Sequence, residues 1–494
     1  MARLYSIEST PTNTGAMADH RWAVRASEIT KLVDEIAAVL SGAQSKTYPW
    51  LAPVVEDLRT HSGASVVIAG EHLPADVQAA VFALNEALGN AGQTIFYSTP
   101  VESDPQNQLR SLRQLVQDMN KGVVQSLIIL GGNPVFTAPA DFDFAGALSR
   151  VPFRVHLSLY QDETSFLCHW HVPETHFLES WSDAKAFDGT ASIVQPLIAP
   201  LYGGKSMHEI VAAMAGHPDR SGYQLVQDYW QKQRPGPDFE HFWRKSVHEG
   251  FIEGTAFPLK SASAHMKSSP KATPPKGIEL QFRSDPTIYD GRFANNGWLQ
   301  ELPKPLTKLT WDNVAWISPK TAQRLNVANE DLVEIKHRSN TVRAPVWIKP
   351  GQPEDSITIH FGYGRTRCGK LGNQVGFNAY SIRTSDSLWV AHDVSVRKTN
   401  QRYRLASTQQ HHAMENRNLV RAATLQEYKR NPDFAKEPHQ DISLYSDHEY
   451  DGYKWGMAID LNACVGCNAC VVACQAENNV PVVGKDQVSR GREM

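Results

Sequence analysis

The chain has 494 residues, 41% of them hydrophobic and 20% charged, with a formal net charge of −3. This length is enough for several domains, and the composition is that of a folded protein rather than a disordered one. The small negative charge argues against nucleic-acid binding. No apolar run reaches the length of about eighteen residues that a membrane-spanning helix needs, and the N-terminus lacks the apolar run of a secretory signal.

Residues 1–215 alternate between helical and strand patterns. A first helix is expected with Ser27 as its N-cap, because apolar residues repeat at helical spacing up to Leu40. Further helices are expected at about 75–88 and around 109–116. Short apolar strands are expected at four places: 65–69, 94–97, 126–130 and 154–158. Continuous apolar strands separated by amphipathic helices predict an α/β domain with a parallel sheet.

Ligands of such sheets bind beyond the carboxyl ends of the strands, so the loops at 70–72, 131–134 and 162–164 are candidate binding loops. Gly131 and Gly132, followed by Asn133 and Pro134, would let the backbone approach a phosphate or a ring closely. A plain tight turn is the alternative interpretation of this loop.

Residues 168–176 read Cys-His-Trp-His-Val-Pro-Glu-Thr-His, which are metal-ligand types. Their spacing matches no standard zinc pattern, and adjacent residues of an extended chain point to opposite faces. We therefore predict histidines that pack and donate hydrogen bonds rather than a metal site.

The middle of the chain changes character twice. Residues 216–305 are predicted to be a helical segment whose aromatic side chains dock on the α/β core, followed by a linker rich in Ser, Ala, Lys and Pro at 260–277. Residues 306–398 are predicted to form a small β-barrel, and residues 399–454 an extended polar linker. The expected barrel strands are 314–318, 332–336, 342–348 and 356–360, with a helical turn at 319–325.

Four of the six cysteines form a C-x2-C-x2-C-x3-C run: Cys464, Cys467, Cys470 and Cys474. This is the spacing of bacterial ferredoxins, in which the first three thiolates hold one 4Fe–4S cube and the fourth ligates another cluster. Gly466 allows the tight turn that such a cube requires. A zinc knuckle or buried free thiols are the alternatives, but zinc sites favour two separated cysteine pairs.

The run needs further cysteines to complete its clusters. Twenty residues follow Cys474 and none is cysteine, so we expect residues 455–494 to be the first part of a ferredoxin-like domain and the chain to be a fragment. The two remaining cysteines, Cys168 and Cys368, are not expected to form a disulfide.

Several phrases of the sequence resemble the molybdopterin oxidoreductase large subunit. They are the 131–134 loop after a strand, Asp162-Glu163-Thr164 followed by Val172-Pro173, and Ile317-Ser318-Pro319-Lys320-Thr321-Ala322 at the barrel entry. With a ferredoxin-like module in the same chain, the sequence is similar to the fused iron–sulfur subunit of alternative complex III. Three phrases carry this likeness: 179–190, 195–204 and 455–460.

The resemblance implies a double-psi barrel over 306–398 and pterin-site loops at Gly131, Gly132, Asn133, Pro134 and Thr164. It also implies that these loops are degenerate and that molybdopterin is absent. The active relatives have different residues where this chain has Cys168-His169 and Phe187-Asp188-Gly189. The implied cofactors are 4Fe–4S clusters alone.

The implied function is electron transfer in a membrane-associated, quinol-oxidising respiratory complex, without substrate chemistry in this chain. The implied partners are cytochrome c and quinol-oxidising membrane subunits, and the implied place is the periplasmic face of the inner membrane, with the cytoplasm as the alternative. Two other functions stay open: a catalytic molybdopterin oxidoreductase with a built-in ferredoxin relay, and a non-catalytic docking scaffold.

Overall fold

The computed structural model describes residues 2–45, 47–262, 277–408, 414–417, 419–436, 444–446, 449 and 451–492. Most of the linker predicted at 260–277, and parts of the one predicted at 399–454, lie outside the described residues. Within the described ranges, no helix is both long enough and apolar enough to cross a membrane.

The helices are mostly short and lie along the whole described chain. They are α1 Asn13–Met17, α2 Ala26–Leu40, α3 Leu51–Thr60, α4 Ala75–Ala87, α5 Gln108–Asn120, α6 Pro134–Thr137, α7 Phe144–Ser149, α8 Glu163–Phe166, α9 Met207–Met214, α10 Gly222–Gln233, α11 Phe239–Glu249, α12 Gly297–Glu301, α13 Pro319–Leu325, α14 Leu425–Arg430, α15 Ala469–Glu477 and α16 Lys485–Val488.

The strands form several separate sheets. They are β1 Tyr5–Glu8, β2 His20–Ala23, β3 Ser126–Leu130, β4 Phe153–Ser158, β5 Trp170–Pro173, β6 Ser182–Lys185, β7 Ala191–Val194, β8 Phe251–Ile252, β9 Ile278–Arg283, β10 Leu309–Thr310, β11 Ala315–Ile317, β12 Asp331–His337, β13 Asn340–Ile348, β14 Ser356–His360, β15 Val390–Arg402 and β16 Ala406–Ser407.

The predicted parallel sheet is present, but it is smaller than expected. Strands β3, β4 and β5 pair in parallel in that order. Leu127 and Ile129 of β3 pack against a core that includes Met119 of α5 and Leu148 of α7. The predictions of α2, α4, α5, β3 and β4 are confirmed within a few residues.

The strands predicted at 65–69 and 94–97 are wrong, because side chains replace the strand partner there. Asn85 accepts a hydrogen bond from the backbone N–H of Val67 at 2.9 Å and donates to its carbonyl at 2.7 Å. Thr94 donates to the carbonyl of Ser65 at 2.6 Å. An amide that satisfies both backbone groups removes the need for a neighbouring strand. The predicted cap is also wrong, since Arg25 rather than Ser27 precedes α2.

The closed barrel is confirmed, with strand order β11-β13-β12-β15-β9-β14. The four predicted strands and the helical turn, α13, all lie within it. It also contains β15 and β9, and β9 comes from the segment that we described as helical and linker. Leu280 and Phe282 of β9 are fully buried in the barrel core, whereas Gln281 points outward and donates to the carbonyl of Ser9 at 2.7 Å. The double-psi topology stays a prediction.

The aromatic residues of α10 and α11 form a core of their own, not one shared with the parallel sheet as expected. Trp230 and Trp243 pack with Ile193 and Ile252 on the antiparallel sheet β6-β7-β8. The indole N–H of Trp230 donates to Asp183 of β6 at 2.9 Å. A three-stranded sheet and two helices are therefore enough to bury these rings.

The ferredoxin-like domain predicted at 455–494 is not shown by the structure. Described residues 455–468 form turns and irregular chain, and α15 then carries Cys470 and Cys474. Both cysteines therefore lie on one helix, four residues apart.

Candidate functional site

A cavity of about 490 Å³ lies between the parallel sheet and the barrel. One wall follows the carboxyl ends of β3 and β4, and the other comes from loops that follow the parallel barrel strands β9 and β14. Ligands of parallel strands bind at this end. The lining residues used below are Gly131, Gly132, Asn133, Asp162, Glu174, Asp290, Arg292, Arg365 and Cys368.

The glycine loop forms an open part of the cavity wall. Gly131 and Gly132 have φ angles of 69° and 70°, a region that disfavours other residues. A Cβ added at either glycine would meet no atom within 4 Å. Behind the loop, the fully buried ring of His156 lies 3.0 Å from the carbonyl of Gly132 and 2.7 Å from the hydroxyl of Ser165. The backbone therefore faces open space on one side and is held on the other.

The other predicted pterin-loop residues shape this wall. Asn133 lines the cavity, and its side-chain oxygen accepts hydrogen bonds from the hydroxyl and the N–H of Thr164 at 2.7 Å and 3.2 Å. Thr164 also accepts from the N–H of Val135 at 3.1 Å. Pro134 is the first residue of α6. Of the five residues, three line the cavity, and Thr164 holds the loop from behind through these hydrogen bonds.

A buried ion pair joins the two walls. Arg365 donates to Oε2 of Glu163 at 2.8 Å, to its Oε1 at 3.1 Å, and to the carbonyl of Gly291 at 2.7 Å. Glu163 also accepts from the backbone N–H groups of Thr366 and Arg367. The exposed fractions of the Arg365 and Glu163 side chains are only 6% and 10%. Although burial opposes ionisation, Arg365 lowers the pKa of Glu163 to about 2. Because the guanidinium of Arg365 already has these partners, its role is to link the two domains rather than to bind a ligand.

The remaining charged groups of the cavity differ in sign. Arg292 donates to both carboxylate oxygens of Asp290, from Nε at 3.0 Å and from one terminal nitrogen at 2.7 Å, and its side chain is 62% exposed. A guanidinium has five donors, so Arg292 keeps donors for a ligand. Glu174 is half-buried, and this burial raises the pKa of its carboxyl above the usual value. Asp162 accepts from the N–H of Ser165 at 2.9 Å.

The residues that the sequence analysis used against a cofactor do not line this cavity. Cys168 packs at the edge of the core below β3, where burial raises the pKa of its thiol. His169 stacks on Phe153, and His171 contacts the hydroxyl of Ser165 at 3.0 Å, so these histidines pack and form hydrogen bonds as predicted. Phe187 is 92% exposed.

The sequence analysis predicted no site at five of the lining residues given above: Glu174, Asp290, Arg292, Arg365 and Cys368. Cys368 is buried, which raises the pKa of its thiol to about 11. A signal for Arg365 existed in the sequence, because Gly362-Tyr363-Gly364 begins two residues after the end of a predicted strand and precedes the arginine. The other candidate loop, at 70–72, lines a different cavity, of about 550 Å³.

The four cysteines of the run are exposed. Gly466 has a φ of 65°, and its N–H donates to the sulfur of Cys464 at 3.4 Å. In the described part of the chain, no group of three or more His, Cys, Asp or Glu side chains is arranged to hold a metal ion. The structure thus does not bring the four sulfurs together, although thiolates at this spacing are the donors that an iron–sulfur cluster takes. The assignment of each cysteine to a cluster stays a prediction.

Residues 296–388 match the model of the molydopterin dinucleotide binding domain. This segment contains most of the barrel strands and the Arg365 and Cys368 wall of the cavity. The chain is 23% identical over 301 residues to the menaquinone reductase, molybdopterin-binding-like subunit of Nitratidesulfovibrio vulgaris, which covers 56% of the chain and 42% of that protein. It is 19% identical over 313 residues to the thiosulfate reductase molybdopterin-containing subunit of Salmonella typhimurium, covering 54% and 41%.

A shorter match is much closer. Over 27 residues, the chain is 74% identical to the menaquinone reductase, iron-sulfur cluster-binding subunit of Nitratidesulfovibrio vulgaris. This aligned segment is 6% of the chain and 11% of that protein. The chain spans less than half of the length of each of these three relatives.

The expectation that molybdopterin is absent is wrong. The dinucleotide-binding match and the two molybdopterin-type relatives point to a molybdopterin cofactor. The error has a physical reason. The expectation rested on Cys168-His169 and on 187–189, and none of these residues lines the cavity.

Proposed function

We propose that this chain holds a molybdopterin dinucleotide cofactor between its parallel sheet and its barrel, as the redox subunit of a respiratory complex. The observation that carries the proposal is the composition of the cavity. Arg365 and Cys368 of its barrel-side wall belong to the segment that matches the dinucleotide-binding domain, and Arg292 lies four residues before that segment. The other wall is the glycine loop at the carboxyl end of β3. Two domains thus contribute to one candidate cofactor site, which is where binding sites commonly form.

The side chains suit the parts of such a ligand. Arg292 keeps donors for a phosphate, and the open backbone at Gly131 and Gly132 allows a ring or a phosphate to approach closely. The carboxyl of Glu174 is able to accept a hydrogen bond from a ring N–H when it is ionised. When bound, the cofactor would supply the redox chemistry, while the protein would bind it, orient it and exclude water.

This proposal follows the catalytic alternative of the sequence analysis rather than its leading interpretation. Electron transfer through iron–sulfur clusters remains part of it. Two observations support that part: the C-x2-C-x2-C-x3-C run, and the 27-residue match to an iron–sulfur subunit. We infer that this match corresponds to the run, because no other segment of the chain is rich in cysteine. Cys464, Cys467 and Cys470 would hold one cube, and Cys474 another cluster.

The proposal extends to assembly and location. The matched relatives are named as subunits of reductases, so we propose that this chain works with partner subunits in a membrane-associated complex. An alternative complex III with cytochrome c and quinol-oxidising subunits, on the periplasmic face, is the specific form of this proposal. Purification of the chain from detergent-solubilised inner membranes tests this proposal, because the partner subunits should co-purify with it. Recovery of the chain in the cytosolic fraction without partners would contradict it.

Cofactor analysis of the purified full-length protein tests the central proposal. The protein is produced in a host that makes molybdopterin, and its molybdenum and tungsten content and the fluorescence of the oxidised pterin are measured. We expect pterin in nearly stoichiometric amount. A protein that carries iron but no pterin would restore the electron-transfer interpretation and overturn this one.

A further inference from the structure

The segment that follows the cysteine helix lies on the barrel and is held there by buried groups. The indole N–H of Trp298 in α12 donates to the carbonyl of Val480 at 2.7 Å. Glu301, at the end of α12, accepts from the backbone N–H groups of Val483 and Gly484 at 3.1 Å and 2.8 Å. Helix α12 therefore binds the chain only a few residues after Cys474.

Glu301 is built into this contact from both sides. It is only 5% exposed, and its carboxylate also accepts from the indole N–H of Trp311 at 3.1 Å. A buried carboxylate without donors would be strongly unfavourable. The backbone N–H groups of Val483 and Gly484 are two of its three donors. The buried carboxylate therefore depends on this segment for its hydrogen bonds.

A second buried contact holds α16. The ammonium of Lys485 lies 2.6 Å from the carboxylate of Asp312, whose side chain is 1% exposed. Tyr403 donates to the other oxygen of Asp312 at 2.8 Å, and Lys485 lies over the ring of Tyr403 at 4.0 Å. Without Lys485, the charge of Asp312 would lose its nearest cation.

The fit between the two parts is close. A Cβ added at Gly297 would lie 2.9 Å from a methyl carbon of Val482. Helix α12 also packs against α15, the helix that carries Cys470 and Cys474. The side chain of Asn468, just before α15, donates to the carbonyl of Pro303. The contact thus extends along both ends of the cysteine helix.

The segment that leads into α12 lines the cofactor cavity. Arg292 lines that cavity, and Trp298 lies six residues further along the chain. An extended chain advances by at most about 3.6 Å per residue, so their Cα atoms are at most about 22 Å apart. Residues 290–301 therefore lead directly from the cavity wall to the cysteine helix.

We infer that the α12 face of the barrel is a docking surface that fixes the cysteine segment beside the cofactor cavity, with Glu301 and Asp312 as its positioning residues. The inference rests on the proposed function, because it gives the docking a role: it sets the separation between an iron–sulfur cluster and the cofactor. Electron transfer needs a fixed and short separation, which an exposed loop alone would not hold.

The test uses full-length protein and the variants Glu301→Ala and Lys485→Met. Hydrogen exchange of residues 469–492 is measured by mass spectrometry, and iron content and electron paramagnetic resonance of the reduced protein are measured in parallel. Loss of the charged acceptor should raise exchange at Val483 and Gly484 about ten-fold or more. Lys320→Met is the matched control, because Lys320 pairs with Glu354 on the exposed surface of the barrel.

A positioning role makes a further demand that a merely structural role does not. The iron content should stay at the wild-type value in Glu301→Ala, while the magnetic coupling between the cluster and a paramagnetic cofactor should weaken. Glu301→Gln keeps one acceptor oxygen and should restore part of the coupling. Lys485→Met tests the docking even where Glu301→Ala fails to fold, since Lys485 is partly exposed.

Unchanged exchange at 480–490 in both variants would overturn the inference. So would faster exchange with undiminished coupling, because the contact would then not set the separation. A wild-type protein without iron would contradict the proposed cluster, but its exchange pattern would still decide whether the docking surface exists.

Discussion

The cofactor cavity and the cysteine run are both candidate redox sites, but their functional residues differ in burial and in their contribution to the packing of the fold. At the cavity, the Glu163–Arg365 pair is buried and joins the two domains. In the run, the four cysteines are exposed. Changes at the cavity should therefore disturb folding and binding together, whereas changes in the run should remove a cluster and leave the fold intact. The predictions below test this difference.

The largest effect is expected in the run. Cys467→Ser should abolish one cluster signal in the reduced full-length protein, and Cys474→Ser should abolish a different one. The melting temperature should stay close to the wild-type value after correction for the lost cluster, because neither side chain is packed. Electron paramagnetic resonance and iron analysis measure this. Cys168→Ser is the control and should leave both signals unchanged. If both substitutions in the run removed the same signal, the four cysteines would share one cube.

The second effect concerns the buried pair. Glu163→Ala should lower the free energy of unfolding by about 3–5 kcal/mol, because it leaves the guanidinium of Arg365 buried without its partner. The bound pterin should decrease in parallel, since the pair joins both walls of the cavity. Urea unfolding and pterin fluorescence measure the two effects. Glu253→Ala removes an exposed partner of Lys245 and should change neither. A stable Glu163→Ala protein with a full content of pterin would show that this ion pair is not needed to hold the two domains together.

The stability of the protein should depend on pH through the ionisation of Glu163, the carboxylate of the same ion pair. The pKa of Glu163 is lowered from 4.5 to about 2 by Arg365. Its ionised form therefore contributes stability above pH 4.5, and this contribution disappears as the pH falls towards 2. The difference in unfolding free energy between wild type and Glu163→Gln should be constant above about pH 5 and should shrink below it. Urea unfolding at several pH values measures the difference. A difference that grew at low pH would contradict the assigned ion pair.

The sequence predicted the barrel and the cavity loops because their signals are local. Short strands with turns between them are visible as patterns, and Gly131-Gly132 stands where a parallel strand ends. Strand β9 was missed although Leu280 and Phe282 alternate with polar residues, which is the period of a strand. The sequence does not show that the alternating residues Glu279 and Gln281 are buried as well. They point away from the barrel core, towards other parts of the protein that only the tertiary structure brings there.

The wrongly predicted strand at 65–69 and the unpredicted Arg365 both depend on contacts between residues far apart in the sequence. The apolar run at 66–69 has the pattern of a strand, and only the side chain of Asn85, 18 residues away from Val67, explains why it is not one. Likewise Arg365 pairs with Glu163, 202 residues away, so no local pattern predicts the pair. The wrong expectation on molybdopterin came from the same limit, because two local differences were weighed without knowing which residues line the cavity.

The smallest effect is expected from one methyl group in the glycine loop. Gly132→Ala adds a Cβ at a φ of 70° in the cavity wall, and Gly122→Ala adds one at a φ of 72° after α5. Neither Cβ would meet an atom within 4 Å. Both variants should therefore lose a similar amount of stability, on the order of 1 kcal/mol, from the strained backbone alone.

Only Gly132→Ala should also lose cofactor, because its methyl group occupies space that a ligand would fill. A group of this size in a binding pocket changes affinity by about ten-fold or more. Pterin fluorescence per mole of folded protein, together with urea unfolding, separates the two effects. Equal pterin content in the two variants would mean that the ligand does not touch this loop. Loss of pterin in Gly132→Ala alone would identify the loop as part of the cofactor site, since backbone strain is the same in both.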